Sequence, residues 1–244
     1  MKKIDSLSKH VAEAVAQYWV TRRKQLRKQT ESGRSDRGAR SAVTGGAQMD
    51  GFINLITDIM IDAGAEESSI FKNKHLELPG FFRPTKKWDL LVVKDGQLIV
   101  ALEAKSHVGS FGNNFNNRTE EAMGSALDLW TAYREGAFNR AVKPWLGYLF
   151  LLEDSPKSRA PVKVKEPHFK VFPEFVNSSY ALRYELFCRK LVRERHYDVS
   201  SFLISNKQSG LKGTFSEPAS DLTFERFASS LIAQITVFGA PSNR

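Results

Sequence analysis

Cysteine occurs once in the 244 residues, at Cys188. No disulfide can therefore close within the chain and no cysteine-rich zinc site exists, which makes a reducing cytoplasm the expected home. Long apolar runs are missing too. The best, Trp145 to Leu152, falls far short of a membrane span, and no membrane association is expected. Met1-Lys2-Lys3 resembles the start of a signal peptide, but Asp5, Lys9, His10 and Glu13 interrupt any apolar segment behind it. The glycines form neither a phosphate-cradling loop nor a dinucleotide-binding turn, since Gly45-Gly46 lacks the lysine and the spacing. A Ser-His-Asp set, internal repeats and low-complexity tracts are also absent. Acidic residues are scarce beside basic ones: 27 Asp and Glu against 36 Lys and Arg, a net charge of +9. That balance points to a polyanionic partner.

With 41 % hydrophobic residues the chain can bury one sizeable core, read here as one domain over 1–244. Three stretches compose it: an N-terminal helix and basic loop over 1–44, a core over 45–206, and a C-terminal loop and helix over 207–244. The helix of Asp5 to Gln29 carries Leu7, Val11, Ala14, Val15, Tyr18 and Trp19 on one stripe. It runs into a basic stretch of Arg22, Arg23, Lys24, Arg27, Lys28, Arg34, Arg37 and Arg40, which is either a solvated end or a phosphate-contacting arm. Helices are further expected over Gln48 to Ala63, Thr119 to Glu135, Tyr180 to Arg195 and Leu222 to Phe238. Strands are expected over Ile70 to Leu78, Trp88 to Val93, Gln97 to Ala104, Trp145 to Leu152 and Val199 to Ser205. Ser155 to Lys165 reads as an exposed loop. This alternation makes the fold class α/β, a central mixed sheet flanked by helices.

The chemistry concentrates between Pro84 and Lys105. Asp89 ends one apolar strand, Lys94-Asp95-Gly96 turns the chain, and Glu103-Ala104-Lys105 ends the next. Residues two apart on a strand share a face, so Glu103 and Lys105 point together. Asp89 joins them only if the hairpin register has the right parity. A two-residue turn would send it to the opposite face, whereas a three-residue Lys94-Asp95-Gly96 loop, pairing Val93 with Gln97, or a bulge of the same effect, makes all three converge. Two carboxylates and an ammonium at the ends of buried strands suit Mg²⁺-assisted phosphodiester hydrolysis. Hard Mg²⁺ takes oxygen ligands, here Asp89 and Glu103, and Lys105 stabilises charge or orients the nucleophile. Glu77 and Asp50 are further acidic candidates, and His107 shares the face of Lys105.

Pro84...Asp89...Glu103-Ala104-Lys105 is similar to the PD-(D/E)xK nuclease motif, with the Pro-Asp pair loosened. The segments LELPGFFRPTKKWDLLVV, ALEAKSHVGSFGNNFNNRTEEAMGSALDLWTAYREGAF and YALRYELFCRKLVRERHYDVSSFLIS resemble the XhoI family of type II restriction endonucleases, over about residues 45 to 206. The resemblance implies a restriction-endonuclease-like core and a Mg²⁺-dependent, homodimeric enzyme. It also implies a double-stranded DNA target, the palindrome CTCGAG cut after the first C to leave a 5′ overhang, and a cognate methyltransferase acting on the same site.

The segment Ser106 to Arg118 links the catalytic strand to the helix expected at Thr119, whose start carries a capping-box-like Asn117 and Glu120. Asn113, Asn114, Asn116, Asn117 and Arg118 are therefore candidate DNA contacts, since Asn and Arg can read adenine and guanine edges. Arg83, Lys86 and Lys87 flank the Asp89 strand as candidate phosphate contacts. Two other classes share these features: a structure-directed repair or recombination nuclease, and a non-catalytic DNA-binding module.

Overall fold

A computed structural model describes residues 6–31, 47–138 and 143–239. Arg34, Arg37 and Arg40 of the basic stretch lie outside them. The order is α1 (Leu7–Glu31), α2 (Asp50–Asp62), β1 (Ile70–Phe71), β2 (Glu77–Pro79), β3 (Thr85–Lys87), β4 (Leu90–Lys94), β5 (Gln97–His107), α3 (Phe111–Arg134), β6 (Trp145–Glu153), α4 (Pro156–Arg159), α5 (Tyr180–Arg193), β7 (Val199–Ser205) and α6 (Phe224–Gln234). A five-stranded sheet runs β1-β4-β5-β6-β7, and β2 with β3 forms a separate two-stranded ribbon. The first three strands of the large sheet pair antiparallel and β5, β6 and β7 parallel, so the sheet is mixed as expected. No helix among the described residues is long and apolar enough to cross a membrane.

Parallel neighbours need crossovers, and two successive crossovers of one hand in one direction put their helices on one face. Here α3 joins β5 to β6, and the stretch ending in α5 joins β6 to β7. Leu91, Ala101, Tyr148, Phe150 and Phe202 pack with Ala122, Ala126, Tyr184 and Cys188 of those helices. The opposite face buries Leu90, Val92, Val100, Leu102 and Leu149 against α1, α2 and α6. The α1 stripe read from the sequence is buried throughout, and Trp19 donates from Nε1 to the Ser205 hydroxyl at 2.9 Å.

The structure redraws several boundaries. The strand expected over Ile70 to Leu78 is broken, because His75 takes a positive φ of 57° and turns the chain from β1 into β2. Arg22, read as part of a basic stretch that was either solvated or phosphate-contacting, is buried. Met123 and Leu127 of α3 and Leu182 of α5 are exposed, and Tyr184 and Cys188 take the inner face of α5. Helix α3 begins at Phe111, not Thr119, so the asparagines lie on its first turns and not in a loop. Phe111 and Phe115, four residues apart, pack on Tyr180 and Tyr184 of α5, and that packing outweighs the weak helix propensity of Asn and Gly. The Asn117 capping box is thereby excluded: the chain enters the helix through Gly109 and Ser110, both at positive φ.

Candidate active site

The register of β4 and β5 decides where Asp89 points. Lys94 pairs with Gln97 and Val93 with Leu98, so the turn has two residues, Asp95 and Gly96, at φ of 50° and 71°. This is the left-handed pair that a tight hairpin turn of matching twist requires. The expected three-residue loop is therefore wrong. The register then slips between Val92 and Val93: Val92 pairs with Val100, Leu91 with Ala101 and Leu90 with Leu102. Ile99 is the extra residue, and this bulge restores the parity that the tight turn would have lost. Asp89 consequently shares the α3 and α5 face with Glu103 and Lys105. The Asp89 amide donates to the Leu102 carbonyl at 3.1 Å, and its Oδ2 accepts from the Ala104 amide at 2.8 Å.

Asp89, Glu103 and Lys105 are thus together. Lys105 Nζ stands 3.6 Å from Asp89 Oδ2 and pairs with Glu103 Oε1. Glu103 is buried, its side chain only 3 % exposed, and its second oxygen pairs with Lys86 Nζ. Lys86 was expected to be open to phosphate. Instead it points inward from β3, donates to the Lys87 carbonyl at 3.2 Å and lies 3.9 Å from the Trp88 ring centre. The sequence hid this role, because the strand Thr85-Lys86-Lys87 contains no apolar residue to mark which face is inside.

Two carboxylates and two ammoniums form a balanced cluster, and their environments separate their titrations. Burial pushes Glu103 up, but Lys105 and Lys86 outweigh it and hold the carboxyl below the ordinary glutamate range. Burial raises Asp89 above the usual range against the pull of Lys105. Burial also lowers Lys86. For Lys105, burial is outweighed by Glu103 and Asp89, which keep the ammonium charged. Asp89 and Glu103 supply two hard oxygen donors on one face, a number that suits Mg²⁺, which keeps several waters and takes substrate phosphate oxygens.

The other candidates separate. Among the described residues no third Asp, Glu, His or Cys is close enough to complete a metal-binding group. Glu77 pairs across the ribbon with Lys87, and both are exposed, opposite the inward side chains of Leu78 and Lys86. Asp50, at the start of α2, lines a cleft of about 580 Å³ with Asn54, Lys72, Lys87 and Asp89, and burial raises its carboxyl. It faces Asp89 across the cleft without joining the cluster. His107 is buried, hydrogen-bonds through Nδ1 to the Tyr184 hydroxyl, and is lowered by burial to about 4. It is a neutral core histidine.

On α3, Asn116 and Asn117 are exposed and Asn114 donates to the Ser110 carbonyl at 3.3 Å. Asn113 lies on the same first turn of the helix. Arg118 pairs with Glu121 at 3.0 Å, and its charge is felt at both Lys105 and His107. Arg83 is bound elsewhere, by a residue that sequence reasoning missed. Buried Asp128 of α3 accepts from the amides of Phe81 and Phe82 at 2.6 and 2.8 Å and from Arg83 Nε at 2.7 Å. It clamps the tip of the β2–β3 ribbon to the helix. Gly80 is required there, since a Cβ would lie 2.3 Å from the Asp128 carboxylate.

A mixed sheet with parallel crossovers on one face, and an Asp, Glu and Lys converging beside them, is a restriction-endonuclease-like architecture. Sequence comparison agrees: the model for the family Restriction endonuclease XhoI matches residues 28–217. The type II restriction enzyme BstVI of Geobacillus stearothermophilus is 55 % identical over 211 residues, covering 84 % of this chain and 94 % of its own. XhoI of Xanthomonas vasicola is 49 % identical over 181 residues, covering 73 % and 72 %. AbrI of Azospirillum brasilense is 51 % identical over 160 residues, covering 65 % and 72 %. The chain belongs to the XhoI family of type II restriction endonucleases. No solved structure matches it.

Proposed function

We propose that this enzyme cleaves double-stranded DNA at the palindrome CTCGAG, after the first C, in a Mg²⁺-dependent reaction that leaves a 5′ overhang. The observation that carries the hydrolytic part of the reading is the convergence of Asp89, Glu103 and Lys105 on one face of the sheet; the site and the cut are taken from the family resemblance. Asp89 and Glu103 would hold the ion, which when bound supplies Lewis acidity at the phosphate and a more acidic water. Glu103, held ionised by its two lysines, keeps its charge without titrating near neutral pH. Lys105 is placed to orient the attacking water and to balance charge on the phosphoryl oxygens. Lys86, on β3 of the ribbon, fixes the other oxygen of Glu103.

Asn113, Asn114, Asn116, Asn117 and Arg118, on the first turns of α3, serve as base or phosphate contacts, and Lys87 serves the backbone, while Arg83 stays with Asp128. A palindromic target asks for a two-fold reader, so the working form is a homodimer. A methyltransferase of the same specificity would protect the host's own sites, in the cytoplasm. Digesting a fully sequenced unmethylated phage DNA with Mg²⁺ or with EDTA, then sequencing the ends, tests this reading. Discrete Mg²⁺-dependent fragments beginning 5′-TCGA are expected. A smear, or cleavage of branched DNA alone, overturns the specificity and leaves a repair-type nuclease.

A further inference from the structure

The two most exposed large apolar side chains among the described residues are Phe169, at 88 %, and Phe172, at 76 %. Both lie in the stretch between α4 and α5, which leaves the carboxyl end of β6. Ligands of parallel sheets collect at the carboxyl ends of their strands, and here β5 at the same edge hands its chain to the start of α3. The stretch rejoins the fold beside that helix: Tyr180 stacks on Phe111 at 5.7 Å.

This segment is held in shape although little of it is buried. At its base Pro161 bridges Ser179, the Val162 amide donates to the Ser178 carbonyl at 3.0 Å, and Arg183 binds the Val162 carbonyl at 3.1 Å and the Ser178 hydroxyl at 2.8 Å. Nearer the tip, Glu166 accepts from the Val171 amide at 2.9 Å and from Lys170 at 3.0 Å. Lys163, Lys165 and His168 are exposed beside the phenylalanines. A solvated loop has no need to hold two aromatic rings in water at a cost in hydration, and a contact with another protein surface is poorly served by Lys163 and Lys165, two exposed cations close ahead of them in the chain. Exposed cations followed by bare aromatic rings on one segment match a nucleic acid, whose phosphates take the ammoniums while its sugars and bases take the rings.

We infer that the Val162–Val176 segment is a DNA-binding arm in which Lys163 and Lys165 contact phosphates and Phe169 and Phe172 pack on sugars or wedge against a base step. The inference rests on the reading of duplex DNA as the substrate and extends the contact surface beyond α3 and the ribbon. It adds a second group of contacts to those at the start of α3, beside which the segment rejoins the fold.

The test measures binding of a CTCGAG duplex by full-length protein in EDTA, as a function of salt, alongside sedimentation of the free protein. For Lys163→Ala with Lys165→Ala, the slope of log Kobs against log salt should fall by about 2, one for each lost phosphate contact. For Phe169→Ala with Phe172→Ala, binding should weaken by roughly tenfold to a hundredfold with the slope unchanged. Both pairs are exposed, so melting temperatures should match that of the wild type. Variants that bind as the wild type does overturn the arm while the cleavage reading stands. If the phenylalanine pair instead dissociates a dimer and leaves the DNA affinity of each subunit intact, the arm is a contact between copies and the inference fails. A wild-type protein that neither binds nor cuts duplex DNA removes the underlying reading itself.

Discussion

The two faces of the central sheet are built from the same strands and do different work. On one, Val100, Leu102 and Ala104 of β5 meet α1, α2 and α6 in an apolar cluster. On the other, Ala101 continues the core, but Glu103, Lys105 and His107 follow it, with Asp89 alongside from β4. Strand alternation alone separates a reactive half from a structural half of one eleven-residue strand. The apolar layer can therefore be altered without touching the cluster, because neighbouring residues of the strand serve different layers.

The largest effect should come from breaking the reactive face. Glu103→Gln should lower the cleavage rate at least about a hundredfold. By stranding two buried ammoniums it should also cost about 3–5 kcal/mol, read from urea melts. Adding Lys86→Met should return much of the stability and none of the activity, which separates the two losses. A rate close to wild type in Glu103→Gln would refute the assignment of the cluster.

Phe52, fully buried in α2 on the opposite face, supplies the converse. Phe52→Ala should cost about 3–5 kcal/mol while the activity per folded molecule stays unchanged in a titrated cleavage assay. Loss of activity in excess of unfolding would show that the two layers are coupled.

A smaller effect sharpens the boundary between the reactive face and the ribbon. Asp128→Asn keeps the shape of the clamp but removes its charge, and should cost about 1–3 kcal/mol. It should also loosen the ribbon that carries Lys86. Burial would raise the Asp128 carboxyl, but Arg83 and the Phe82 and Phe81 amides more than offset it and hold the group below the ordinary range. The sign follows: the stabilisation is present above the unfolded aspartate pKa, near 4, and fades as pH falls through the lower folded value. Protection of the Phe81 and Phe82 amides, measured as exchange relative to the intrinsic rate at each pH, should be high at neutral pH and fall only in acid. Fast exchange at neutral pH would contradict the clamp.

How much of this was legible depended on whether the determinant was local. The α1 stripe, the apolar strands and the face shared by Glu103 and Lys105 follow from period alone, and they hold. The face of Asp89 was only half legible: shared placement with Glu103 demands a parity, but a three-residue loop and a bulge satisfy it equally, and the observed register has the bulge at Ile99. The start of α3 was misplaced because Asn and Gly signal a turn locally, while Phe111 and Phe115 find their partners some 70 residues away on α5. Asp128 was missed for the same reason. A lone acid on an amphipathic helix looks solvated until the ribbon tip, 46 residues earlier, folds onto it.

The bulge at Ile99 has a consequence for how this hairpin can change its length. It is a counting device: one residue added or deleted within either strand between Asp89 and Glu103, outside the Asp95-Gly96 turn, reverses which side of the sheet one carboxylate occupies, whatever the amino acid. Single-residue insertions or deletions in these strands should therefore be as damaging as removing the carboxylate outright. Changes of two residues, or a deletion matched by a new bulge, should be tolerated. Outside the turn, the spacing between Asp89 and Glu103 is free to drift only in even steps.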